Sequence, residues 1–98
     1  MQKGDVGVKM YFYIQDTTGT LVDLTDASSV SLLIRKPNNQ VISRQLTITN
    51  PSRGEVYYLT DGQDFDIVGT YQLQIKIVFS NSVFYTKVFP EKVDDSLE

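Results

Sequence analysis

The chain has 98 residues, the length of one domain, and its 41% hydrophobic and 21% charged residues are ordinary for a globular protein. It contains no His, Cys or Trp, which excludes disulfides, thiolate nucleophiles, imidazole general bases, and zinc sites built from His or Cys. A net charge of −3 and a pI of about 4.7 argue against a nucleic-acid surface.

The opening Met-Gln-Lys-Gly-Asp has no apolar run behind it, so no secretory signal is expected, and no stretch approaches the length of a membrane span. Alternation with period two begins at once. Val6, Val8, Met10, Phe12 and Ile14 are expected on one face of a first strand, with Lys9, Tyr11, Tyr13 and Gln15 on the other. Asp16-Thr17-Thr18-Gly19-Thr20 reads as a turn, and Leu21-Val22 as a short strand. A strand over residues 28–36 points Val30, Leu32 and Ile34 inward. Lys36-Pro37-Asn38-Asn39-Gln40 then turns the chain into a return strand over residues 41–49. Arg44 interrupts the apolar face of Ile42, Leu46 and Ile48, which marks an edge strand whose middle is open to water.

After the turn Asn50-Pro51-Ser52-Arg53-Gly54 comes a strand over residues 55–60, in which Tyr57 and Tyr58 face opposite ways. Residues 61–69 form a loop with room for one helical turn. The clearest strand follows, with Tyr71, Leu73, Ile75, Ile77 and Phe79 on one face. Ser80-Asn81-Ser82 makes a tight hairpin into a last strand from Val83 to Phe89, ended by Pro90. The pattern is six strands and one short one, with turn signals about every 8–12 residues and no helical period: an all-β sandwich or small barrel. The domain is expected over residues 1–90. Residues 91–98 are expected to form an acidic, frayed tail in which Leu97-Glu98 reads as a cloning remnant.

Three groups of residues stand out. Asp61, Asp64 and Asp66 could together bind Ca²⁺ or act as paired carboxylates, but Asp is also a turn former, and the turn reading is preferred. Asp66, Gly69 and Tyr71 resemble the corner before a late strand of immunoglobulin-like domains, where a Tyr hydroxyl bonds back to the backbone a few residues upstream. The last strand is apolar on both faces, with Phe84 and Val88 on one and Val83, Tyr85 and Phe89 on the other. One face fills the core and the other needs a cover. Tyr11 and Tyr13 join Tyr85 and Phe89 as a candidate interface, provided the first and last strands are neighbours. No catalytic residue, metal site or cofactor site is expected.

Three stretches in order carry a family resemblance: Lys3-Gly4-Asp5-Val6-Gly7-Val8; Asp23-Leu24-Thr25-Asp26-Ala27 before a strand ending Ile34-Arg35-Lys36-Pro37-Asn38; and Asp66-Ile67-Val68-Gly69-Thr70-Tyr71. Over residues 2–90 the chain resembles the immunoglobulin-like N-terminal domain of phage baseplate upper proteins. The resemblance implies an immunoglobulin-like antiparallel β-sandwich of about seven strands. It also implies non-enzymatic structural work in the tail of a phage or prophage, made in the bacterial cytoplasm and assembled into the virion. The expected partners are other tail or baseplate proteins, or a second copy, and not nucleic acid or membrane. The alternative is a carbohydrate-binding or adhesin-type β-sandwich module.

Overall fold

The computed structural model describes residues 1–95. Eight strands make two antiparallel sheets: β1 (Lys9–Tyr13), β2 (Ser29–Arg35), β3 (Val41–Gln45), β4 (Thr47–Asn50), β5 (Glu55–Leu59), β6 (Gly69–Val78), β7 (Val83–Tyr85) and β8 (Phe89–Val93). The smaller sheet has the order β1-β5-β4. The larger runs β3-β2-β6, with β7 and β8 both pairing along the far side of β6. This is the immunoglobulin arrangement in which strands B-E-D face C′-C-F-G, with β1 standing for strand B and β6 for F. Among the described residues no strand A pairs beside β1.

Alternation builds the centre as expected. Val30, Leu32 and Ile34 of β2 and Tyr71, Leu73, Ile75 and Ile77 of β6 are all buried, and the two strands pair over seven registered positions. Leu24, Leu46, Val56 and Phe65 complete the core from the other side.

Three segments depart from simple alternation, each for a local reason. Val6 and Val8 are exposed rather than inward, Val6 at 72%. Gly7 adopts a φ of 71°, which breaks the extended run before β1 and ends the period at Met10. The stretch 41–49 is two strands, not one: β3 pairs with β2 in the larger sheet, and β4 with β5 in the smaller. The buried Leu46 lies at the crossing and carries the chain from one layer to the other. Residues 61–69 hold turns and no helix.

The third departure is at the C-terminal end. The expected single strand 83–89 divides into β7 and β8, and the second continues through Pro90 to Val93. Val93 is fully buried, so residues 91–93 belong to the sandwich rather than to a frayed tail. Asp94 bonds its backbone N–H to Met1 O and accepts from the Lys3 N–H, and Lys92 O accepts from the N-terminal amine. The even-numbered positions of β8 therefore turn their backbone outward, and at Pro90 the absent N–H costs the ladder nothing. Leu97-Glu98 lies outside the described residues.

Candidate functional site

The loop before β6 is an internally bonded corner. Asp64 is completely buried. Its carboxylate accepts from Arg44 Nε at 2.8 Å, from the Tyr58 hydroxyl at 2.6 Å and from the Asp61 N–H at 2.8 Å. Arg44 comes from the larger sheet and Tyr58 from the smaller, so one carboxylate ties the two layers. β3 lies at the edge of its sheet as the sequence reading expects, but the Arg44 side chain, 36% exposed, is not given over to water: it turns onto Asp64. Burial, and then the hydrogen bond to Asp64, push the Tyr58 phenol up to about 12.

Asp66 accepts from the buried Lys36 Nζ at 2.8 Å, and that bond holds its carboxyl below the usual range. Lys36 also donates to Gln63 O at 2.7 Å. Asp61 accepts from the Gln63 N–H. The three carboxylates therefore serve as turn and bridge acceptors, and among the described residues no group of three or more candidate ligands is placed to hold a metal. Tyr71 is fully buried, and its hydroxyl donates to Ile67 O at 2.7 Å and accepts from the Ile67 N–H at 2.9 Å. Gly69 has a φ of 141°, and a Cβ there would stand 2.8 Å from Pro37 Cγ. Asp66, Gly69 and Tyr71 thus dock the β2–β3 turn against the start of β6. This is a structural device, with no open site at its centre.

The four interface residues are not on one face. Among the described residues β1 pairs only with β5, so the first and last strands are not hydrogen-bonded neighbours. Tyr85 lies opposite Lys76 on the outer face of the larger sheet, whereas Phe89 lies opposite the buried Leu73 and packs at a tilt on Phe12 with ring centroids 5.7 Å apart. Tyr85 and Phe89 are four residues apart and would share a face in an unbroken strand. One extra residue between the pairing of β7 and that of β8 flips the parity, as a β-bulge does. Tyr11 and Tyr13 occupy the outer face of the smaller sheet, where Tyr11 packs on Tyr57 at 5.8 Å.

What joins these four is a groove of about 1030 Å³ on the open flank of the sandwich. Tyr11, Phe12, Tyr13 and Ile14 form one wall, and Tyr85, Thr86, Lys87 and Phe89 the other. Ile75, Ile77 and Phe79 lie between them. Phe84 explains the groove. It sits directly opposite Ile77, on the inner face, and packs edge-on against Phe79. Ile77 is 3% exposed and Phe84 is 56% exposed. The smaller sheet is one strand too narrow to cover β7. Sequence alternation places Phe84 on an apolar face but gives no sign that the opposing layer stops short. At one end Asp16 stands ionised, its carboxyl held low first by the Thr18 hydroxyl and then by backbone N–H groups.

A family model described as the BppU N-terminal domain matches residues 8–98, and the sandwich with its late-strand corner is the fold the sequence resemblance implies. The chain belongs to the BppU N-terminal domain family. This is a family of phage baseplate upper proteins, so membership makes the chain a structural domain of a phage tail baseplate. No curated protein and no solved structure matches the chain. No helix among the described residues is long and apolar enough to cross a membrane.

Proposed function

We propose that this baseplate domain is a docking module that attaches to other proteins of the tail through the groove between β1 and β7. The observation that carries the reading is Phe84, an inner-face ring left more than half exposed beside Phe79 and Ile77. Apolar surface arranged as a trough with aromatic walls gains most by being covered, at roughly 25 cal/mol per Å² buried. Tyr11, Tyr13 and Tyr85 form its rim and suit a contact that is apolar at the centre and wet at the border. The chemistry of the corner carboxylates is absorbed by Arg44, Tyr58 and Lys36, which fits a domain that holds rather than reacts.

The test mixes the domain with the other baseplate proteins of the same phage and follows complex formation by size-exclusion chromatography and light scattering. The complex is expected to form with the parent and to be lost with Tyr85→Arg and with Phe84→Lys, both at positions more than half exposed. A complex that survives both substitutions refutes the groove as the docking site.

A further inference from the structure

The groove has the shape of a missing strand. At the two ends of β1 the Ile14 N–H donates to Gly54 O and Val8 O accepts from the Thr60 N–H, so the even-numbered residues make the ladder with β5. Antiparallel pairing then turns the N–H and C=O groups of Tyr11 and Tyr13 toward the opposite edge. That edge borders the groove. The lower part of the same flank is closed by the chain itself, through the backbone bonds of Met1 and Lys3 to Lys92 and Asp94. The upper part is open.

Edges that must stay single are usually blunted. β8 carries Pro90, β4 has a register shift before Pro51, and β3 is polar with Arg44 turned across it. β7 is three residues long. β1 has none of these protections past Lys9; it is Met-Tyr-Phe-Tyr, unbroken and strongly strand-forming.

We propose that the upper edge of β1 accepts one extended segment of another protein, which completes the smaller sheet in the place of strand A and covers Phe84. This deepens the docking reading and rests on it. The space admits a lone strand. A second copy brought edge to edge at β1 carries its own larger sheet, which overhangs by β7 in the same way, so the two overhangs collide. The segment has apolar side chains at every other position, directed onto Phe79, Phe84 and Ile77.

The experiment uses overlapping synthetic peptides that cover the other baseplate proteins of the same phage, with amide hydrogen exchange read by nuclear magnetic resonance. In the free domain the Tyr11 and Tyr13 amides exchange quickly and those of Met10 and Phe12 slowly. A binding peptide slows Tyr11 and Tyr13 by about tenfold or more. Tyr11→Pro removes an N–H that the domain's own ladder does not use, and weakens that peptide about two- to tenfold, the worth of one hydrogen bond. Should Tyr11→Pro unfold the domain, Phe84→Lys gives the same loss at an exposed position. Slow exchange of Tyr11 and Tyr13 in the free domain overturns the inference, as does a panel with no peptide that protects them. A solution mass that doubles with concentration and reverts with Tyr11→Pro also overturns it, by naming a second copy as the occupant. Docking that is lost with Tyr85→Arg but kept with Tyr11→Pro leaves the proposed function standing and removes only the added strand.

Discussion

Replacing Asp64 by Asn tests the bond that ties the two layers. The volume is unchanged, so no cavity confuses the result. The carboxylate offers two oxygens to three donors: Arg44 Nε, the Tyr58 hydroxyl and the Asp61 N–H. An amide has one oxygen. With that oxygen toward Asp61 and Tyr58, its NH₂ meets Arg44 Nε, donor against donor; flipped, it meets the Asp61 N–H. The Tyr58 hydroxyl can rotate to accept, but the other two cannot. The lost charge-assisted bond is worth about 1.5–3 kcal/mol, reduced to about 1–2 because the Arg44 side chain is 36% exposed. A donor left without an acceptor at a fully buried position adds about 1–2 kcal/mol. The expected cost is about 3 kcal/mol, or a fall of about 12–24 °C in the unfolding midpoint for a domain of this size. Circular dichroism melts and urea titrations of parent and Asp64→Asn read it directly. Asp61→Asn is the control, since its side chain meets only the surface Gln63 N–H; it should stay within about 0.5 kcal/mol of the parent. A cost below about 1 kcal/mol for Asp64→Asn refutes the account of the clamp.

Further outcomes follow from the corner and from Tyr58. Tyr71→Phe removes a hydroxyl that satisfies both the N–H and the C=O of Ile67, and should cost about 1–3 kcal/mol by urea titration, with no change in strand content. Gly69→Ala forces a Cβ to within 2.8 Å of Pro37 in a backbone region that only Gly enters freely, and should cost at least about 1–3 kcal/mol in the same assay. At high pH the Tyr58 phenol keeps its proton to about 12 in the fold, while an unfolded Tyr loses it near pH 10. Its contribution is therefore fully present below about pH 10 and is lost as pH rises to about 12, roughly 1–2 kcal/mol after discounting for the partly exposed ring. The ultraviolet spectrum of tyrosinate should lose one late-titrating group in Tyr58→Phe, while the buried Tyr71, which burial also pushes up, remains.

Period-two alternation made β2 and β6 legible because both are central, and a buried face leaves no freedom of register. The corner was legible in Asp66, Gly69 and Tyr71 because a positive-φ residue and a buried hydroxyl impose particular residue types. The crossing at Leu46 was not. Alternation runs through it without a break, since a strand that changes sheets keeps its inward side chains inward. Arg44 was the one sign, an apparent fault in the apolar face that turned out to point at a buried carboxylate. The parity flip between Tyr85 and Phe89 was hidden for a different reason: both sides of the inserted residue are apolar, so no face was marked as wrong. The groove depends on the relative width of two layers, which is a property of the whole topology and of no single segment.

The passage of one continuous backbone from β3 through Leu46 into β4 gives the molecule a spine. Along that margin the layers are stitched by covalent bonds and by the Arg44–Asp64–Tyr58 bridge, so they cannot separate there without unfolding. On the far margin the upper part is held by side-chain packing, such as Phe12 on Phe89, and the lower part by backbone bonds between residues 1–3 and the end of β8. Any breathing of the domain is thus a book opening on its unbound side, and it widens the trough in which a visitor would be seated while leaving the corner untouched.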